Sequence, residues 1–138
     1  MNLLITDPIQ VVAEFDDIAS LRAEDESGGF GILPRHADLL TVLTVSVVSW
    51  RHMDGRGGYC AVRRGVLTVR DGTRIAIAAR EAQRDGDLAT LETSVLARFA
   101  MEAEAEKAAR VAALRLHTQA IRRIVEALRA NGRPETGP

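Results

Sequence analysis

The chain has 138 residues, 46% of them hydrophobic, and a net charge of −1 at pH 7. That is one domain, or a small domain with an appendage, with enough apolar content for a core. So neutral a balance excludes a global pull toward nucleic acid or anionic lipid, and the single cysteine, Cys60, excludes an internal disulfide and any multi-cysteine metal site.

The N-terminus, Met1-Asn2-Leu3-Leu4-Ile5, lacks a basic start and is cut short by Asp7-Pro8, which argues against a secretory signal. From Met1 to about Ala79 short apolar-alternating runs are separated by turn residues. Leu3 to Ile5, Val11 to Phe15 and Ile18 to Glu24 read as strands. Gly28 to Leu43 then packs three glycines and Pro34 against an apolar run, which reads as a tightly specified loop between two strands. Val42 to Trp50, rich in β-branched residues, suits one strand buried on both faces. The most apolar run, Leu39 to Val48, contains Thr41, Thr44 and Ser46 and falls far short of the roughly 20 residues of a membrane helix. Asp54 to Gly58 reads as a loop, Tyr59 to Val62 and Val66 to Val69 as strands, Asp71-Gly72 as a hairpin turn and Ile75 to Ala79 as the last strand. Many short strands spaced by about 8–12 residues indicate a sandwich or a barrel. Strands do not alternate with helices, which argues against a dinucleotide-binding fold.

From Leu88 to Ala130 there is no Gly or Pro, and Ala, Leu, Glu and Arg dominate. Asp87 is placed to cap the N-terminus, and Asn131-Gly132 followed by Pro134 ends the helical pattern. Leu88, Leu91, Val95 and Phe99 form one apolar stripe; Val111, Leu114, Thr118, Ile121, Val125 and Leu128 form a second. Between them, Ala100 to Arg110 has Met101 as its only large apolar residue, which marks a bend or the weakly packed centre of one helix. Charge is segregated. Asp85 to Glu106 carries six acids against Arg98, and Lys107 to Arg133 carries seven bases against Glu126. A hairpin would lay the acidic half beside the basic half. One rod from Leu88 to Ala130, about 65 Å long, would free the basic half for another acidic surface. Exposed pairs are worth only about 0.2–1 kcal/mol each, so the pattern leaves both states open.

The order Gly29-Phe30-Gly31-Ile32-Leu33-Pro34-Arg35-His36-Ala37-Asp38-Leu39-Leu40-Thr41 resembles the signature loop of the epsilon subunit of F-type ATP synthases, in which Gly stands at the place of Arg35 and Pro at that of Asp38. Those two departures point to a divergent branch, such as an alternative sodium-type synthase. Tyr59 to Val69, where Gly65 precedes an apolar strand, is similar to a second segment of the family, and Arg63-Arg64 replace smaller residues there. The resemblance implies an α+β chain in two parts: a flattened antiparallel β-sandwich over residues 1–84, then an α-helical hairpin or one long helix over residues 85–132, with residues 133–138 a disordered tail. It implies a non-catalytic central-stalk subunit that links a gamma subunit to the rotor ring of c subunits and couples ion translocation to ATP synthesis. The loop would face the ring, so Gly29, Gly31, Pro34, Arg35, His36 and Asp38 are interface candidates. The basic face of Arg110, Arg115, Arg122, Arg123 and Arg129 would meet an acidic segment of the catalytic beta subunit and oppose ATP hydrolysis. The complex would sit on the cytoplasmic face of the bacterial inner membrane, with membrane contact only through partners. The family's nucleotide-sensing pattern, Ile/Leu-Asp-x-x-Arg-Ala, is not matched at Leu88 to Leu91 or at Leu91 to Arg98, so no nucleotide or other cofactor is expected.

The blander readings stand beside these. His36 suits acid–base work by its ordinary pKa, but no nucleophile triad is visible and His36, His52 and His117 share no ligand spacing. Gly29-Phe30-Gly31 lacks the Gly-Lys-Ser/Thr ending of a phosphate loop. Cys60 reads as a small buried hydrophobe, and Trp50 and Tyr59 as packing residues. The basic helix has no aromatic interleaving, which argues against nucleic acid. A different class of function, a β-sandwich adaptor that dimerises through a coiled-coil tail, follows from the near-heptad spacing of the second stripe.

Overall fold

The computed structural model describes residues 1–132; the expected disordered tail, residues 133–138, lies outside the described residues. Eight strands come first: β1 (Asn2–Thr6), β2 (Val11–Phe15), β3 (Ile18–Asp25), β4 (Gly28–Ile32), β5 (Leu39–Leu43), β6 (Ser46–His52), β7 (Gly57–Arg70) and β8 (Arg74–Arg84). They pair in the order β2-β1-β8-β7-β5-β3-β4, and β6 pairs with both β3 and β7. The pairings are antiparallel except β1 with β8, which run parallel. The expected α+β class holds: a β-sandwich followed by helix.

The two layers share β7 and β8. The first half of β7 pairs with β6 from Gly57 to Val62, and the second half pairs with β5 from Gly65 to Val69. Arg64, with φ of 53°, stands between the halves. Cys60 and Val62 enter the core before it, Leu67 and Val69 after it. A regular strand would put residues an odd number apart on opposite faces, so the left-handed residue resets the alternation. β8 makes the same change, since Ile77 and Ala79 face the core and then Ala82 packs against it. Leu3, Ile5, Ile18, Leu21, Ile32, Val48, Trp50 and Ile75 complete that core.

Three expectations need correcting. Gly28–Ile32 is a strand, not a loop, paired with β3 from Leu21 to Asp25. Val42 to Trp50 is two strands: the Thr44 N–H donates to the Glu24 carbonyl at 3.1 Å, and the chain leaves β5 there to begin β6 at Ser46. Conversely, Tyr59–Val62 and Val66–Val69 are one strand, because Arg64 bends the ladder without ending it.

The helical region is a single run, the second of the two arrangements left open. Asp87 caps it, accepting from the Ala89 N–H at 3.0 Å. α1 (Leu88–Thr90) passes through a π-turn segment (Leu91–Val95) into α2 (Leu96–Gly132). Leu91, Val95 and Phe99 are buried against Ala61, with Val45, Val47 and Tyr59 around them. Residues spaced by four drift about 40° per step on an α-helix. The wider π turn takes some of that drift back, which keeps all three on the sheet. Two compact units result, Met1–Met101 and the segment from Glu102 onward.

Candidate functional site

The segment Leu33–Asp38 turns the chain from β4 into β5, and the β7–β8 hairpin braces it. Arg35 has φ of 69° and its N–H donates to the Gly72 carbonyl at 2.9 Å. The His36 N–H donates to the Leu33 carbonyl at 3.2 Å. Asp38 Oδ1 accepts from the Asp71 N–H at 3.0 Å, and Arg74 pairs with the Asp71 carboxylate. Gly72, with φ of 64°, admits no side chain, because a Cβ would lie 2.7 Å from the Arg35 Cα. The Gly–Pro corner is therefore held by contacts with residues some 35 positions later in the chain. Leu33, Pro34, Arg35, Ala37 and Asp38 are exposed and His36 half-buried, its Nδ1 2.7 Å from the Ala37 carbonyl.

Of the expected interface residues, Pro34, Arg35, His36 and Asp38 meet at this corner. Gly29 and Gly31 do not. They lie within β4, opposite Glu24 and Arg22, and a Cβ on either would have its nearest neighbour at 4.0 and 3.8 Å. Neither has a positive φ, unlike Gly28 at +115°, so the turn reading of these glycines holds for Gly28 alone.

Beside the corner, the outer face of β1, β8, β7 and β5 is apolar. One cross-strand row runs Leu4–Ala76–Thr68–Leu40, and the next runs Thr6–Ala78–Val66–Val42. Leu40 is 70% exposed and Val42 61%. β-alternation explains which residues face outward; the sequence alone did not show that nothing in the first unit would cover them.

In the second unit every residue from Lys107 to Asn131 is exposed. Val111, Leu114, Thr118, Ile121, Val125 and Leu128 keep a strict three–four alternation, the a and d spacing of a coiled coil. Arg115, Arg122 and Arg129 each directly follow a d residue, and Arg110 directly precedes the first a residue. Arg123 lies away from that seam. The basic candidates thus divide into four that flank the apolar stripe and one that does not.

Two features of the first unit were missed from sequence. His52 is buried; its Nδ1 lies 2.8 Å from Asp17 Oδ1, and its Nε2 accepts from the Trp50 Nε1–H at 3.2 Å. Phe15 meets the imidazole edge-on at 4.6 Å. Gly58 lies under Trp50, and a Cβ there would fall 2.3 Å from the ring. The Trp–Gly cross-strand pair was detectable only once the register was known. Cys60 is fully buried, and burial pushes its thiol up to about 12. Among the described residues no group of three or more His, Cys, Asp or Glu is placed to hold a metal ion, and no helix is long and apolar enough to cross a membrane.

Comparison with known proteins bears on this geometry. Residues 1–85 match the family model described as ATP synthase, Delta/Epsilon chain, beta-sandwich domain. The chain is 41% identical over 138 residues to an ATP synthase epsilon chain 2 of Cereibacter sphaeroides, covering 99% of this chain and 94% of that one. It is 42% identical over 129 residues to an ATP synthase epsilon chain 2 of Paraburkholderia xenovorans, covering 94% and 93%. Among solved structures, a chain of the Tetrahymena thermophila mitochondrial ATP synthase central stalk and c-ring shares the fold at a TM-score of 0.53 and 18% identity, covering 87% of this chain and 95% of that one. A chain of the Euglena gracilis mitochondrial ATP synthase does so at 0.58 and 18%, covering 67% of this chain and 59% of that one. A sandwich head matched over its whole length, joined to relatives alike from end to end, places the chain in the ATP synthase epsilon family, as a non-catalytic subunit.

Proposed function

We propose that the head links the gamma subunit to the rotor ring and that the basic helix restrains ATP hydrolysis. The observation that carries this reading is the braced corner beside an open apolar sheet face. An exposed apolar band of this kind marks a surface that a partner covers. The gamma subunit takes that band, centred on Leu40 and Val42. The corner residues Pro34, Arg35, His36 and Asp38 meet polar loops of the ring of c subunits. Bracing matters because a rotating coupling must transmit torque without yielding. Arg110, Arg115, Arg122 and Arg129, beside an apolar stripe, suit an acidic helical segment of the catalytic beta subunit. The complex works at the cytoplasmic face of the inner membrane, and this subunit reaches the membrane through its partners. It couples ion flow to ATP synthesis by holding shaft and ring together.

The test is a paired set of variants in the assembled complex. Leu40→Asp with Val42→Asp should abolish capture of gamma. Arg35→Glu with Asp38→Lys should leave gamma bound and uncouple ion flow. A chain ending at Met101, which keeps Leu91, Val95 and Phe99 on the sheet, should assemble and hydrolyse ATP faster than the full chain. Retained gamma binding in the first pair would overturn the docking face. Unaltered hydrolysis in the shortened chain would overturn the regulatory role.

A further inference from the structure

The outer face of β3 and β6 carries a second constellation, on the layer opposite the apolar band. Two cross-strand rows define it. One runs Gly31–Arg22–Ser49–Tyr59 across β4, β3, β6 and β7. The other runs Ser20–Arg51–Gly57 across β3, β6 and β7. Arginine and serine therefore alternate on both strands, so each guanidinium lies beside a hydroxyl along its strand and across the ladder. The concavity between them has a volume of about 140 Å³, and none of the residues lining it is acidic.

Three observations give this face a chemistry. First, Arg22 and Arg51 have no ion pair or side-chain hydrogen bond, and neither do the hydroxyls of Ser20 and Ser49, among the described residues. Arg56, Arg63 and Arg74 are in ion pairs, with Asp54, Glu81 and Asp71, whereas Arg35, Arg70 and Arg80 are, among the described residues, unpaired like Arg22 and Arg51, so it is the pairing of two such arginines with two free hydroxyls in one concavity that sets this face apart. Second, the outer neighbours of the two arginines are Gly31 and Gly57. Neither has a positive φ, and a Cβ would meet nothing closer than 3.8 Å at Gly31 and 3.6 Å at Gly57. The backbone does not require glycine at either place, and its effect is to leave both guanidiniums uncovered. Third, Arg22 and Arg51 lie diagonally across β3 and β6, within reach of one small group for side chains of that length, while Glu24, the next outward residue of β3, lies on the far side of Arg22 from Ser20 and outside the concavity.

We propose that this face binds a phosphate group. Two planar guanidinium forks offer paired N–H donors to a tetrahedral dianion, and Ser20 and Ser49 add hydroxyl donors to the oxygens left over. The volume has room for one phosphate group, and because the concavity is open on its outer side the remainder of a phosphorylated ligand lies outside it. The ligand is free phosphate or the phosphoryl end of a nucleotide. The proposal stands apart from the docking face and the basic helix, and neither their success nor their failure decides it.

Trp50, the chain's single tryptophan, lies between Ser49 and Arg51 on β6 with its ring on the core side, so its fluorescence reports a change in the strand while backbone amide shifts report the site itself. The full chain is titrated with inorganic phosphate and, separately, with ATP, at ionic strength held constant with chloride. Amide shifts of Ser49, Arg51 and Gly57 are followed by NMR alongside the fluorescence. Saturable changes are expected. Arg22→Gln and Arg51→Gln should each weaken binding about tenfold or more, as loss of a charge-assisted contact implies, with circular dichroism and thermal midpoint unchanged. ATP binding tighter than phosphate assigns the nucleotide as source; equal or weaker binding assigns free phosphate. No saturable change by either method, or the same response in the variants, overturns the proposal.

Discussion

Arg35 stands in left-handed backbone that a residue without a Cβ adopts more cheaply. The resemblance placed glycine there, and the structure gives the reason. Arg35→Gly should stabilise the head by about 0.5–1 kcal/mol, measured by urea unfolding, because relief of strain outweighs the added freedom of the unfolded chain. Gly72→Ala should cost about 2–3 kcal/mol, since it adds left-handed strain to a backbone clash with Arg35. The motif Gly-Ile-Leu-Pro was legible as a corner; its brace was not, because Asp38 and Asp71 are 33 residues apart and no local signal joins them. Cys60 gives a pH prediction. Its thiol would ionise near 9 when exposed and near 12 in the fold. A raised folded value means the stabilisation is complete below pH 9 and is lost as pH rises from 9 toward 12. Denaturant melts should show a decline of up to about 1.4 kcal/mol per pH unit over that window, and Cys60→Ala should flatten it.

The elements show which patterns carry far and which do not. Period-two alternation located β1, β2 and β3, because each exposes one face to the core and one outward. It failed at β4, where glycines carry no polarity signal, and at β7, where a single left-handed residue inverts the alternation in mid-strand. The helix was legible from its composition and caps. The π turn was not, since nothing local in Leu91 to Val95 demands it; its cause is the sheet that Leu91, Val95 and Phe99 must reach together. Thr93 and Ser94 donate their hydroxyls to the Ala89 and Thr90 carbonyls, each at 2.7 Å, within the widened turn. The same logic separates the two apolar stripes. Phe99→Ala should cost about 3–5 kcal/mol, as for a fully buried aromatic. Leu128→Ala, at a residue 65% exposed, should stay within about 0.5 kcal/mol. Thermal unfolding of the two variants checks the contrast, and a large loss at Leu128 would mean that the second stripe is covered within the chain.

For the whole molecule the second stripe raises the question of self-association. Its heptads would suit a dimer, the arrangement an adaptor would use, and its flanks decide against one. Across a parallel pair, Arg110 would face Arg115 of the other copy and His117 would face Arg122; across an antiparallel pair, arginines at like positions would face one another. Glu126 is the only acid in the stretch and lies off the seam. A second copy therefore brings apolar complementarity together with rows of like charge, whereas a foreign helix with acids on its flanks brings both kinds of match. Sedimentation of the full chain should show a monomer at low salt. Screening shortens to about 3 Å at 1 M salt, so weak association should appear only there. Replacing Arg115, Arg122 and Arg129 together by Glu should let the variant pair in parallel with itself at low salt, because Arg110 and His117 would then face glutamates of the other copy. A dimer of the native chain at low salt would show that the apolar seam outweighs its charged borders, and with it the selectivity for an acidic partner would fall.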